Sequence, residues 1–257
     1  STGPTAGSHV KVKMGVTKDG RITAAQAHLA FEAGGFPGSP VGAGAMCVFA
    51  AYDVDNVVID GYDVVVNKPK SAPYRAPGSP NAAFATEQVV DELARKLGMD
   101  PMDLRLKNAS KEGTRRADGV LNGPIGAQEI MEAVRSHEHS SAPLDGKYRG
   151  RGVAMGFCRN NTGMASAVAN VLSDGTVSLI EGSPGIGGTR VSLAQQLAEV
   201  LGIPVGDVIP QVGDTDTIGY TSNTAGSGVT FKSGWAAIEA ANDVKRQLVE
   251  RAARVWG

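Results

Sequence analysis

The sequence is poor in cysteine and in aromatic residues, and it contains no long apolar run. Its two cysteines, Cys47 and Cys158, are too few for a disulfide framework and suit a reducing compartment, with a single bridge left open. Aromatic residues make up 5% of the chain, so small aliphatic side chains must build the core. No stretch approaches the roughly 18 apolar residues of a membrane span, and no signal-peptide pattern opens the chain. These absences predict a cytoplasmic protein with no membrane partner.

The charges nearly cancel, and the common catalytic motifs are missing. Lys and Arg number 25 against 26 Asp and Glu, and no basic stripe or acidic tail points to a nucleic-acid partner. Motifs of the H-E-x-x-H, C-x-x-C and G-x-S-x-G kinds do not occur. His137 and His139 flank Glu138 without a third ligand nearby. The sequence therefore predicts no metal site held by protein side chains.

Glycine, in contrast, is abundant. The chain has 34 glycines, whereas average usage would give roughly 18. No Gly-X-Y period accompanies them, which excludes collagen. Because glycine tolerates left-handed backbone and close approach, the surplus predicts tight turns and loops that lie against another group.

Apolar periodicity predicts an α+β fold, with antiparallel and mixed strands beside helices, in two subdomains. Strands are expected at residues 10–16, 21–31, 54–60, 62–66, 152–158, 165–172, 176–181 and 208–212. Helices are expected at residues 81–97, 100–108, 126–137, 189–201 and 231–254, and an irregular Gly/Pro loop at 34–45.

Several element ends carry local signals. Asp19-Gly20 is a hairpin turn signal, and Asn81 is the expected N-cap of the first long helix. Gly98 follows that helix as its C-terminal glycine, and Asp100-Pro101 opens the next one.

A polar stretch separates the two halves of the chain. We expect a first subdomain over residues 1–140, a linker over 141–150 and a second subdomain over 151–257. The sequence starts without Met and stops directly after a helical pattern, so we interpret it as a piece of a longer protein.

Two glycine loops and one arginine are the candidate binding elements. The loops at 182–188 and 213–228 each lead into a helix start, where unpaired N–H groups and the helix dipole favour anions. Neither loop has the dinucleotide G-x-G-x-x-G register or the P-loop GK[ST] ending. Arg75 lies between Pro73 and Pro77, which suits a rigid anion clamp. Two alternatives stay open: the loops are plain connectors, and Arg75 is a solvated surface residue.

Long segments of the chain resemble the molybdopterin-binding large subunit of the xanthine dehydrogenase family of molybdenum hydroxylases. Residues 73–113 contain an aromatic-Arg-x-x-Gly-x-Pro segment, a helix and D-P-x-x-x-R-x-x-N. Residues 181–204 and 213–231 resemble the two cofactor loops of that family. The resemblance runs in order over nearly the whole chain.

The resemblance implies a set of cofactor-binding and substrate-pocket residues. It assigns contact with molybdopterin, in its plain or cytosine dinucleotide form, to Arg75, Gly185, Ile186, Gly187, Thr224, Ala225, Gly226 and Ser227. Gly187 replaces a glutamine that is common in the family. Pro77 and Phe157 stand at substrate-pocket positions. Pro77 is not aromatic, and Ala43 replaces a substrate-binding arginine, so a purine substrate is disfavoured.

The resemblance also implies the chemistry of a parent enzyme. It would hydroxylate an N-heterocycle or an aldehyde with water, and pass electrons to iron–sulfur clusters and FAD on partner subunits or domains. The family's metal-side glycine loop and its catalytic glutamate are expected outside this sequence, so no catalytic residue is assigned and the chain alone is expected to be inactive. Two alternatives stay open: an excised scaffold without cofactor, and a phosphate- or nucleotide-binding domain of another class. A homo-oligomer is equally open.

Overall fold

The computed structural model describes residues 3–257, so Ser1 and Thr2, with which the predicted first subdomain begins, lie outside the described residues. The chain divides into two compact units, residues 1–158 and 159–257. Each unit combines a three-stranded mixed sheet with helices, which confirms the predicted α+β class. The subdomain bounds predicted from the sequence, with a linker at 141–150, stay predictions.

The first unit is built on a hairpin and a parallel third strand. β1 (Ser8–Val16) pairs antiparallel with β2 (Ile22–Gly34), and β2 pairs parallel with β3 (Asn56–Val65). The turn between β1 and β2 contains Gly20 at φ 88, as its Asp-Gly signal predicts. The helices are α1 (Val41–Cys47), α2 (Ser79–Leu97), α3 (Pro101–Asn108), α4 (Ala127–Ser136) and α5 (Glu138–Ser141). The core contains Ile22, Leu29, Phe31, Val90 and Leu104.

The second unit repeats this arrangement. β4 (Ala167–Val171) pairs antiparallel with β5 (Val177–Glu181), which pairs parallel with β6 (Val208–Val212). Helix α6 (Thr189–Leu201) connects β5 to β6, and α7 (Val229–Trp256) follows β6. The core contains Leu179, Leu193, Leu197, Ala237 and Ala241. None of the helices in residues 3–257 is long and apolar enough to cross a membrane.

The prediction of an irregular loop at 34–45 is wrong over its second part, where α1 forms. Two glycines, Gly44 in α1 and Gly61 in β3, allow the helix to pack closely on its neighbours. A Cβ on Gly44 would lie 3.1 Å from the Phe31 ring, and one on Gly61 would lie 3.1 Å from Val41 Cγ2. Gly61 also does not divide a strand as predicted, because β3 runs through it in parallel register with β2.

Two further predictions are wrong for related reasons. Asn81 is inside α2, since the helix begins at Ser79 with Gly78 as N-cap, and the Asn81 amide donates to Ser8 Oγ at 2.8 Å. Residues 152–158 form no strand. Their polar backbone atoms bond to side chains of α2: Met155 N donates to Glu87, and Phe157 O accepts from Ser79. An alternating pattern alone does not supply a strand neighbour.

Candidate functional site

The two glycine loops of the second unit begin side by side. Because β5 and β6 are parallel, their carboxyl ends lie at the same edge of the sheet. Gly213 N donates to Glu181 O at 2.9 Å, so the loop after β6 starts directly next to the loop after β5. Each loop then leads into a helix, α6 or α7, whose N-cap glycine provides no side-chain cap. Two helix N-termini with uncapped N–H groups therefore follow from one sheet edge.

The first loop presents its backbone to solvent. Residues 184–188 are exposed, and the Ile186 side chain is 72% exposed. Gly187 and Gly188 are both left-handed, with φ 69 and φ 72, and a Cβ at either position would meet no other atom. The predicted residues Gly185, Ile186 and Gly187 thus lie on an open stretch where backbone amides are accessible to a ligand.

The second loop packs tightly against the segment 161–166. Asn161 N donates to Gly226 O at 2.8 Å, and Ser222 N donates to Met164 O at 2.9 Å. A Cβ on Gly226 would lie 2.2 Å from Asn161 Nδ2, which explains why glycine is needed there. Gly226 and Ser227 are left-handed, with φ 63 and φ 55. Thr224 Oγ1 is buried, and within residues 3–257 it has no hydrogen-bond partner.

Below the loops lies a group of buried polar side chains that the sequence analysis missed. Glu181 is completely buried, and its Oε2 accepts from Ser183 N at 2.6 Å. Ser183 Oγ and Ser233 Oγ lie 2.7 Å apart and connect the first loop to α7. Burial raises the pKa of Glu181, and the hydrogen bonds from Ser183 oppose this shift. A signal was available, because the alternation of β5 places Glu181 on the same inward face as Val177 and Leu179.

Lys232 is a second polar residue missed from the sequence. It lies in the first turns of α7 with 6% of its surface exposed, and its Nζ donates to oxygens of Ser222 and Asn223 in the second loop. A single charged residue among the uncharged residues at the start of α7 was the only local sign of it.

In the first unit, Arg75 lies on an exposed and conformationally constrained turn. Its guanidinium makes no ion pair within residues 3–257. Ala76 is left-handed at φ 52, which is costly for a residue with a Cβ. Gly78 has φ 82, and a Cβ there would lie 2.4 Å from Pro40 O. This close packing on the start of α1 holds the turn and leaves the Arg75 guanidinium available to an anion.

Phe157 is bonded to the segment that follows Pro77 in the first unit. Two residues after Pro77, Ser79 Oγ donates to Phe157 O at 2.5 Å. The half-buried Phe157 ring lies 5.4 Å from the Arg116 guanidinium, which makes a bidentate bond to Asp118. Hydrogen bonding from Arg116 lowers the pKa of Asp118. Phe157 thus lies in a polar and aromatic neighbourhood, and Ser79 connects it to the segment that follows Pro77.

The D-P-x-x-x-R-x-x-N segment has a structural role. Asp100 accepts from Met102 N and Asp103 N and caps α3. Arg105 is fully buried, with Nε donating to Glu87 and Nη2 to Asp91, each at 2.8 Å. Asn108 accepts from Ile22 N and donates to Gly20 O, both at 2.8 Å. These residues hold the helices of the first unit to its hairpin.

The predicted site residues are divided between the two units. The first unit contains Arg75, Pro77 and Phe157, and the second contains both glycine loops. Within residues 3–257, no group of three or more His, Cys, Asp or Glu side chains is arranged to hold a metal ion. The second unit offers backbone amides and hydroxyl groups and the first unit offers a guanidinium, and each of these groups recognises an anionic, hydrogen-bonding organic ligand.

The chain is similar to known proteins along nearly its whole length. Residues 1–109 and 126–257 each match a molybdopterin cofactor-binding domain family. The xanthine dehydrogenase molybdenum-binding subunit of Escherichia coli O157:H7 is 29% identical over 259 residues, covering 94% of this chain and 34% of that subunit. The nicotinate dehydrogenase large molybdopterin subunit of Eubacterium barkeri is 37% identical over 128 residues, covering 48% of this chain and 30% of that subunit.

A solved structure agrees in fold. The aldehyde oxidoreductase of Desulfovibrio gigas superimposes with a TM-score of 0.77 at 22% identity, over 94% of this chain and 28% of that one. The chain spans about a third of the length of the two sequence relatives.

Proposed function

Since the chain belongs to the family of molybdopterin cofactor-binding domains, we propose that it holds the molybdenum cofactor within the catalytic subunit of a xanthine dehydrogenase-family hydroxylase. The observation that carries this proposal is the placement of both glycine loops at one sheet edge, each leading into an uncapped helix N-terminus. Such ends favour the phosphate groups that a molybdopterin carries.

The residues present fit this group. The exposed backbone of 184–188 can donate N–H groups, and Thr224 Oγ1 is a buried hydroxyl that lacks a partner in the part of the chain that the structure describes. The residues assigned to the cofactor in this proposal are Arg75, Gly185, Ile186, Gly187, Thr224, Ala225, Gly226 and Ser227. Gly187 contributes only its backbone, because it has no amide side chain. Arg75 adds a cation with fixed donor geometry.

The parent enzyme is proposed to hydroxylate an N-heterocycle or an aldehyde with oxygen from water. When bound, the cofactor supplies molybdenum that takes up the two electrons of this oxidation. Pro77 and Phe157 form part of the substrate pocket, with Phe157 held by Ser79 and Arg116. Iron–sulfur and FAD subunits or domains receive the electrons, and a homo-oligomer remains part of the proposal. A cytoplasmic location is proposed on the basis of the low cysteine content.

Cofactor content tests this function directly. The full-length subunit, coexpressed with its partners in a host that makes molybdopterin, should purify with near-stoichiometric molybdenum and pterin. Arg75→Ala should weaken cofactor retention roughly 10- to 100-fold, because charge-assisted hydrogen bonds are lost. The matched control is Arg95→Ala, which removes another exposed arginine, on α2.

The outcomes separate the possible errors. Unchanged molybdenum content in Arg75→Ala would refute the role of Arg75 and leave the rest of the proposal standing. A wild-type protein that binds nucleotide but contains neither molybdenum nor pterin would refute the proposed function.

A further inference from the structure

Lys232 is buried in an unfavourable place for a cation. Its side chain lies near the N-terminus of α7, where the helix dipole repels positive charge, and 6% of the residue is exposed. No carboxylate in the described part of the chain is within ion-pairing distance of its Nζ. A buried ammonium costs free energy unless its donors are satisfied, so its hydrogen bonds must account for its presence.

All three donors of the ammonium can be assigned, and all go to the second loop. Lys232 Nζ lies 3.2 Å from Ser222 O, 2.8 Å from Ser222 Oγ and 2.6 Å from Asn223 O. On its other side, the same loop is held by the bond from Ser222 N to Met164 O. Lys232 therefore ties two consecutive carbonyl groups of the loop to the helix that follows it.

These bonds also fix the direction of two backbone N–H groups. In a trans peptide, the C=O and the following N–H point in opposite directions. With the carbonyls of Ser222 and Asn223 turned toward Lys232, the N–H groups of Asn223 and Thr224 point away from it. Neither N–H has a protein acceptor within residues 3–257. Next to them lies Thr224 Oγ1, a buried hydroxyl that has no hydrogen-bond partner among the described residues.

We propose that Lys232 is a positioning residue for the cofactor. Its ammonium holds the backbone at Ser222 and Asn223 so that the two N–H groups and the Thr224 hydroxyl form a preorganised anion-binding cradle. This inference rests on the proposed function, because the cradle is assigned to an anionic part of molybdopterin. Lys232 itself acts through the loop, since all its donors are used within the protein.

The test compares two lysines of α7 in the full-length subunit assembled with its partners. Lys232→Met keeps the apolar stem and removes the donors. Lys245→Met is the matched control, because Lys245 Nζ also donates to a backbone carbonyl, Val200 O at 3.1 Å, but is exposed and away from the loops. Lys232→Arg tests rescue, and Ser222→Ala removes one acceptor if Lys232→Met does not fold. The two readouts are molybdenum and pterin retained during dialysis, and amide hydrogen exchange of residues 221–225.

Lys232→Met should lose cofactor roughly 10- to 100-fold faster than wild type, and its loop amides should exchange about 10-fold faster even without cofactor. Lys232→Arg should be intermediate, Ser222→Ala mildly impaired and Lys245→Met unchanged. If Lys232→Met and Ser222→Ala both retained cofactor and exchanged their loop amides as the wild type does, the inference would be overturned and the proposed function would stand. Wild-type subunit without molybdenum or pterin would overturn the proposed function. In that case, amide hydrogen exchange of the second loop in the cofactor-free protein would test the role of Lys232. If Lys232→Met left this exchange unchanged, that role would be overturned.

Discussion

Arg105 is a fully buried arginine whose removal should destabilise the first unit strongly. Its guanidinium donates to Glu87 and Asp91 at 2.8 Å, and to Pro101 O at 3.1 Å. Glu87, with 8% of its side chain exposed, also accepts from the Tyr52 hydroxyl and from Met155 N. The network joins α2, α3 and the segment that carries Phe157.

The size of the effect follows from what Arg105→Met leaves behind. Asp91 is 40% exposed on its side chain and can be solvated, but Glu87 remains a buried charge without a cation. Breaking a buried ion pair on one side typically costs about 3–5 kcal/mol. The exposed pair between Arg135 and Asp103 has side chains that are 41% and 55% exposed. Its loss in Arg135→Met should cost no more than about 1 kcal/mol.

Native-state hydrogen exchange, read by mass spectrometry on peptides of α2 and α3, measures this difference within the full-length subunit. Amides that exchange through unfolding of the first unit should exchange roughly 100- to several-thousand-fold faster in Arg105→Met. In Arg135→Met they should change by less than about 10-fold. The double variant Arg105→Met/Glu87→Gln should recover much of the loss, because the uncompensated charge is gone.

Equal exchange in the two single arginine variants would refute the reasoning. It would mean that the Glu87 carboxylate is solvated when Arg105 is absent. A double variant no better than Arg105→Met would show that packing of the guanidinium, and not its charge, is what matters.

Two further predictions concern the second unit. Burial raises the pKa of Glu181 above its ordinary 4.5, so the folded state binds the proton more tightly, and stability should fall as pH rises from about that value through the raised pKa. Glu181→Gln should remove this fall and be more stable than wild type at pH 7 but not at pH 4. Hydrogen exchange of β5 amides measures this, and a stability difference between variant and wild type that stayed constant across pH would contradict the prediction. Gly226→Ala should destabilise the second loop and lower cofactor content, because its Cβ would lie 2.2 Å from Asn161 Nδ2. Gly202 is also left-handed, at φ 71, but a Cβ there would have no atom within 4 Å. Gly202→Ala should therefore cost only about 1–2 kcal/mol of backbone strain and leave cofactor content unchanged. Equal molybdenum in the two glycine variants would exclude a role for the Gly226–Asn161 packing.

Local signals in the sequence were sufficient for several helix ends whose physical cause is local. Asp100 caps α3 through its own side chain and Gly98 ends α2 in left-handed conformation, both as predicted, and Gly202 ends α6 in the same way. The two glycine loops were located from the sequence because loop and helix are adjacent in the chain. The resemblance to a molybdopterin-binding family came from the same segments, and the comparisons confirm it.

Tertiary structure decided what depends on distant partners. α1 exists because Gly44 lets it pack on Phe31, and β3 continues through Gly61 because β2 pairs with it. Residues 152–158 alternate like a strand, but their backbone bonds to side chains about 70 positions away, with 68 separating Met155 from Glu87 and 78 separating Phe157 from Ser79.

The same distinction holds in the candidate site. Glycine content marks where a backbone can approach a ligand, since that freedom belongs to the residue itself. Whether a given N–H or hydroxyl is left free depends on which groups packing brings against its neighbours. The alternation of β5 already marked Glu181 as inward-facing, but the bonds of Lys232 and the lack of a partner for the Thr224 hydroxyl among the described residues emerged only from the folded chain.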